Sequence, residues 1–386
     1  MSRVGVASDD IEVRNPKLLG VTKLSAYRIP IGIVGDYKPC MVKMANGHLL
    51  LTGFSIRNGV SEEYVFFYRS TDGGKTWSTR EYRDLLGREP YLSIISDGTI
   101  FISTHVLTMA RGNTEGFVYS YLYRSTDNGQ TWQWIKLEFN EVLRASRQDG
   151  ARPDTAPVVS SRNVLELHDG TLVFAVGSQH GSEFLWRSTD KGVTWDRTLE
   201  SYFDTVDIAK YPYSIREEAF LSQAPSGELL SICRVSPKFF PVIIGTDMPR
   251  SEVDYFERMV LFRSKDGGRN WSYEEMGSYY GEMYPHILRL QDGRLLCTFT
   301  MRAAVKPQQP PLGLRAVLGK EMRTGVVFDF KHDRIVLDAK TPIGQPSGGG
   351  FGNTVQLDDG TLVTCYSYRQ ADGKIQCEVV RWGLPS

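Results

Sequence analysis

Arg57, Arg234, Arg302 and Arg369 follow Gly47, Gly227, Gly293 and Gly360 by seven to ten residues. His105 and His180 stand in the same relation to Gly98 and Gly170. Nine residues before the same six glycines lie Lys38, Glu89, Ser161, Glu218, Tyr284 and Phe351. Two kinds of chemistry suit such a set. Guanidinium groups hold carboxylates and other anions through paired, charge-assisted hydrogen bonds. Glutamate, tyrosine and histidine take or give protons, and a tyrosine whose pKa is depressed by arginines can act as base or nucleophile.

The residues between these positions are mostly apolar and tell how the set is held. CMVKMANGHLLLTGF, YLSIISDGTIFISTH, NVLELHDGTLVFAVG, AFLSQAPSGELLSICR, HILRLQDGRLLCTFT and NTVQLDDGTLVTCYS each read strand, tight turn, strand. Period-two alternation and the DG or NG pairs predict hairpins. In a hairpin the start of the first strand and the end of the second share a face. Both sets above are therefore expected to ring one mouth, with the turn glycines on the opposite face. A second repeat is interleaved: YRSTDGGKTWS (68–78), YRSTDNGQTWQ (123–133), WRSTDKGVTWD (186–196) and FRSKDGGRNWS (262–272). In each, the Asp (Asp72, Asp127, Asp190, Asp266) is expected to accept backbone N–H groups across a turn, with Gly at positive φ and Trp packed beneath.

The repeats predict an all-β chain: a six-bladed β-propeller of four-stranded antiparallel blades, one domain over residues 1–386. The first four blades each combine a hairpin with an Asp segment. TGVVFDF and DRIVLDA are expected to complete the fifth blade. QCEVVRWGL is expected in the sixth, with N-terminal EVRNPKLLG closing the ring. Composition agrees, since 37 Gly and 18 Pro suit many tight turns. A net charge of zero argues against a protein whose main business is neutralising nucleic-acid phosphates. No stretch is long and apolar enough for a membrane span. No secretion signal is visible, so a cytoplasmic location is expected. Cys233, Cys297 and Cys365 lie in apolar runs and read as buried thiols. No HExxH, paired-Cys zinc spacing or Asp-rich loop predicts a metal, and SGGGFG (347–352) lacks a P-loop lysine, so no cofactor is expected.

The four Asp segments and the hairpins resemble the sialidase (neuraminidase) superfamily of Asp-box, BNR-repeat proteins over nearly the whole chain. That resemblance implies an arginine triad for a sugar carboxylate, a tyrosine nucleophile activated by a glutamate, and an aspartate acid/base. The segment EAFLSQAPSGELLSICR is similar to the family segment running from the activating Glu to a triad Arg, which implies those roles for Glu218 and Arg234. Glu217 would take the role after a register slip of one. Arg57 resembles the family's second arginine of the first blade. Glu62 or Glu63 falls near the place of the acid/base. Tyr27-Arg28-Ile29-Pro30 matches the family's Arg-Ile-Pro motif, yet by spacing Tyr37 or Lys38 stands where that arginine belongs. Phe351 occupies the place of the nucleophile, which leaves Tyr284 as the candidate. Arg302, Arg315 and Arg323 are candidates for the third arginine.

Three functions follow as expectations. The first is a sialidase-like exo-glycosidase acting on an acidic oligosaccharide or glycoconjugate. Glu218, Tyr284 and Glu62 would be catalytic. Arg57, Arg234, Arg302, Lys38, Tyr37, Glu89, Arg28, His105 and His286 would bind substrate. The second is a lyase on a uronate-containing glycan, with Tyr or His as base. The third is a non-catalytic glycan-binding propeller. The long connections 140–163 and 235–258 are expected to shape specificity or an oligomer contact.

Overall fold

A computed structural model of the chain describes residues 7–57, 60–107, 110, 113–114, 119–137, 158–160, 162–178, 183–201, 213–237, 257–302, 312–342 and 351–385. Arg57, Glu62 and Glu217 are described by backbone alone. Ser161, His180 and most of the connections 140–163 and 235–258 lie outside the described residues. Among the described residues the structure is all-β, without an α-helix.

All six expected hairpins form. The first sheet runs Asp36–Lys43, Leu49–Arg57, Val60–Ser70, Glu81–Leu86, each strand antiparallel to the last. The second runs Arg88–Ile94, Ile100–Val106, Tyr119–Ser125, Gln133–Leu137. The third pairs Val158–Ser160 and Leu165–Glu166 with Leu172–Ser178, then Glu183–Ser188 and Glu200–Ser201. The fourth runs Tyr213–Gln223, Leu229–Pro237, Arg258–Ser264, Ser272–Glu275.

The fifth and sixth hairpins, Glu282–Arg289 with Leu295–Met301 and Thr354–Gln356 with Leu362–Arg369, depart from expectation. They belong to one ten-stranded sheet rather than two separate blades. The third strand of the fifth hairpin is Gly313–Met322, not TGVVFDF; Gly325–Phe328 and Arg334–Val336 both pair outside it. The sixth hairpin adds Ile375–Trp382 and then the N-terminal Lys23–Ile31, which lies further along the chain than the expected EVRNPKLLG. Ala7–Arg14 bridges Lys23–Ile31 to Arg334–Val336, and so joins the two halves. Each partner strand there has an apolar face: Ile11, Val13, Leu24, Ala26, Leu314 and Ile335 share one buried cluster.

The core lies between neighbouring sheets. Val42, Leu50 and Phe67 of the first sheet pack on Leu92, Ile100 and Ile102 of the second. Burying each such side chain stabilises by about 1.5–3 kcal/mol. The Asp segments close the outer hairpins as expected. In one of them, the Gln130 and Thr131 amides donate to Asp127 Oδ1 at 3.0 and 2.9 Å, and Gly129 takes φ 72°. The first strands of all six hairpins, from Met41 through Val355, line one channel of about 480 Å³. It is bounded toward the turns by residues such as Lys43, Glu166 and Arg289.

Candidate active site

At the other end of these strands, four of them carry the same irregularity. The pairing register shifts between Tyr37 and Cys40, Arg88 and Tyr91, Glu217 and Phe220, and Met283 and His286. Inside each bulge one non-glycine residue is left-handed: Lys38 (φ 47°), Glu89 (53°), Glu218 (51°) and Tyr284 (60°). These are four of the six residues found nine before a turn glycine. A bulge re-aims a side chain. A left-handed non-glycine residue costs on the order of 1–3 kcal/mol and persists where its surroundings hold it. Lys38, Glu89 and Tyr284 are each followed by proline, which has no N–H to lose from the ladder. The sixth strand solves the position differently. Phe351 is followed by Gly352, where a Cβ would overlap the Cys365 carbonyl.

The four side chains meet in one buried group. Lys38 Nζ pairs with Glu89 Oε1. Arg162 lies 3.8 Å from Glu89 Oε2 and 2.8 Å from Glu218 Oε1. Arg234 reaches Glu218 Oε2 at 3.2 Å and Glu257 at 3.4 Å. It also donates to the Tyr284 hydroxyl at 3.3 Å, and Arg302 donates to the same oxygen. Arg88 contacts Glu89 at 3.2 Å and Glu63 at 4.0 Å. Rings floor the group: Tyr284 packs edge-on to Phe351 at 4.2 Å, Tyr37 packs on Phe351 at 5.5 Å, and Lys38 Nζ stands 4.0 Å over Phe351.

Burial and charge set the protonation states. Burial raises the Glu89 carboxyl, but Lys38, Arg88, His105 and Arg162 outweigh it and hold the group well below the usual range. Burial lowers the Lys38 ammonium to about 7, against the pull of Glu89 and Glu218. His105 falls to about 4, through burial first and the Arg88 and Lys38 charges after it. Tyr284 departs from expectation. Its arginines pull its pKa down, but burial dominates and raises it well above the normal value, so it is a phenol at neutral pH. Tyr37 is raised to about 12, chiefly by burial.

The structure thus brings together Lys38, Glu89, Glu218, Tyr284, Arg234 and Arg302, with Tyr37 and His105 beside them. His286 lies one layer deeper, at the floor. Arg369 donates to the Gly373 carbonyl at 2.8 Å. The backbones of Arg57 and Glu62 sit at the mouth end of the first sheet, paired with Val60 and Ser55. Of the two glutamates there, Glu63 is 1 % exposed and accepts from the Leu107 amide at 3.0 Å.

Arg28 is not in this group. It lies on the N-terminal strand that pairs with Ile375–Trp382, where it bonds Asp9, the Leu337 carbonyl and the Tyr366 hydroxyl. Its guanidinium ties the two halves of the ten-stranded sheet together. Arg315 is likewise buried there, against the Asp338 carbonyl. Sequence reading missed Arg88, Arg162 and Glu257. Arg88 and Arg162 each stand one residue from a position singled out, a signal that spacing counted to a single residue overlooks.

The model of the BNR/Asp-box repeat matches residues 68–79 and 123–133. The boxes at Asp190 and Asp266 make the same hydrogen bonds. No curated protein matches the sequence. Among solved structures, a protein of unknown function from Dyadobacter fermentans is similar with a TM-score of 0.64 and 21% identity, covering 99% of this chain and 100% of that one. The GH93 α-L-arabinofuranosidase of Fusarium graminearum, in complex with arabinobiose, has a TM-score of 0.56 and 14% identity over 97% and 98% of the two chains. A Trypanosoma rangeli sialidase, in complex with the inhibitor DANA, has a TM-score of 0.54 and 13% identity, covering 97% of this chain and 59% of that one. This chain carries Asp-box repeats on a sialidase-like fold.

Proposed function

We propose that the protein is a glycoside hydrolase, built as a six-bladed ring whose last two blades are joined edge to edge. Its mouth cleaves a glycosidic bond between the carboxyl groups of Glu89 and Glu218. One observation carries this reading. A single guanidinium, Arg162, touches both carboxylates, so they stand within about 7 Å of one another, the range in which paired carboxylates act across a glycosidic bond. Glu89, held ionised by its cations, suits the nucleophile or base. Glu218, held by Arg162 and Arg234, is the second carboxyl group of the pair. Lys38, Arg88, Arg162 and Arg234 each contact a glutamate already, so a substrate carboxylate would compete with protein carboxylates for them. Sugar hydroxyls can instead donate to those glutamates, which favours a neutral sugar.

A second reading keeps an acidic sugar. The Tyr284 oxygen accepts from both Arg234 and Arg302, and Arg234 also holds Glu218. That arrangement supports a sialidase-type tyrosine nucleophile whose proton passes toward Glu218. The test is release of chromophore from aryl glycosides, with α-sialosides, uronides and α-L-arabinofuranosides compared side by side. Turnover that collapses in both Glu89→Gln and Glu218→Gln supports the first reading. A preference for sialosides, with collapse in Tyr284→Phe and not in Glu89→Gln, supports the second. Activity that survives all three variants overturns both.

A further inference from the structure

Below the mouth the axis holds a second, smaller space of about 20 Å³. Lys38, Glu89, Arg162 and Tyr284 bound it on the mouth side, and Tyr91 and His286 on the other. Tyr91 and His286 also line the 480 Å³ channel that runs toward the turn glycines. Two side chains therefore separate the mouth from a channel leading to the opposite face.

Those two side chains have unmet polar atoms. The Tyr91 hydroxyl and His286 Nδ1 are inaccessible to solvent and have no hydrogen-bond partner among the described residues. Their rings pack on one another, with centres 6.4 Å apart, and both border the same small cavity. Leaving two such groups unmet is costly. The neighbouring backbone adds no donor at Pro39, Pro90 or Pro285, which all border the cavity. A cavity needs about 10–15 Å³ to admit a water, so this one has room for one water. Both groups are uncharged at neutral pH: burial lowers His286 to about 4 and raises Tyr91 well above its normal value. A neutral ligand able both to donate and to accept is what they fit.

We infer that Tyr91 and His286 form a water-binding site on the axis, and that its water links the reacting mouth to a hydrated channel open toward the turn face. The mouth then has a second connection to solvent, behind the substrate. Water or protons could be exchanged there while a glycan occupies the front. The site stands whether or not the mouth cleaves a glycosidic bond, since it rests on the cavity and its two polar atoms.

A high-resolution crystal structure of the full chain tests this without any assay. One water peak within hydrogen-bond distance of both Tyr91 Oη and His286 Nδ1, continued by ordered waters in the channel, is the expected result. A dry cavity, or protein groups bonding both atoms, overturns the inference. So does a bridging water with no waters in the channel behind it. The double variant Tyr91→Phe with His286→Phe should lose the bridging peak. Retention of the peak in that variant would mean that other groups hold the water, and would also sink the assignment.

Discussion

The inner strands end differently at their two tips. At the turn tips the left-handed positions belong to glycine, for example Gly98 at φ 87° and Gly293 at 85°. Polar groups in the adjacent Asp boxes are satisfied within four residues, as when Thr76 donates to Asp72. At the mouth tips the left-handed positions belong to Lys, Glu, Glu and Tyr. Some of their partners come from other sheets: Lys38 of the first sheet pairs with Glu89 of the second, and Arg162 of the third sheet region holds Glu218 of the fourth, 56 positions along the chain. The turn tips minimise local strain and repeat. The mouth tips accept strain, bury charge and do not repeat. Repetition builds the sheets, and departure from repetition builds the candidate site.

Substitutions at the mouth carboxylates should have the largest effect. Glu89→Gln and Glu218→Gln should each lower kcat/KM by about 10²–10⁴, as expected for loss of a group that transfers protons or attacks. Circular dichroism should still report a folded chain. If both variants remain fully active, the mouth tips are strained for some other reason.

A pH profile sharpens the same contrast. Lys38 loses its proton near 7, and with it a positive charge beside Glu89 and Glu218. Activity that needs the ammonium should fall about tenfold per unit above that value. Lys38→Arg keeps its proton across the range, so its kcat/KM should lack the neutral limb.

The turn tips should respond in acid instead. Burial is the largest single effect and opposes ionisation of Asp127, but the Thr131 hydroxyl and amide, with Ser125 and Gln130, together outweigh it and hold the carboxyl at about 2. A depressed folded value stabilises above the unfolded value, near 4, and the contribution is lost as pH falls through about 2. Asp127→Ala should cost about 1–2 kcal/mol in urea titrations at neutral pH, a gap that closes in acid, with kcat/KM unchanged. A large activity loss would mean that the two tips are coupled.

The smallest effect concerns strain alone. Lys191 is left-handed (φ 60°) within an Asp box, and its contact to Glu166 is a long 3.4 Å. Lys191→Gly should raise stability by about 0.5 kcal/mol or leave it unchanged, because a surface ion pair is worth little. Glu89→Gly, also at a left-handed position, should abolish activity.

Much of this was legible in the chain, for reasons that differ by region. The hairpins and Asp boxes could be read because each is closed by contacts a few residues apart. Counting nine residues back from the turns found Lys38, Glu89, Glu218 and Tyr284, since strand length and turn position are regular. The same counting passed over Arg162 beside Ser161 and Arg88 beside Glu89. Which of two neighbours faces the axis depends on a bulge, and a bulge needs a partner strand. Arg28 misled for the opposite reason. Its Arg-Ile-Pro motif is intact, but the strand that carries it pairs with the C-terminal strand, a choice made by distant residues.

Local patterning along the chain sets the all-β class, the six hairpins and the strand ends that carry the candidate site, because periodicity and turn chemistry act over about a dozen residues. Tertiary structure alone decided three things. It merged the last two hairpins into one sheet through the N-terminal strands. It set the Tyr284 phenol above its usual pKa, because burial by other strands outweighs the arginines in the same mouth. It also stood Glu89 and Glu218 on either side of Arg162, an arrangement that exists only once residues from the second, third and fourth sheet regions have packed together.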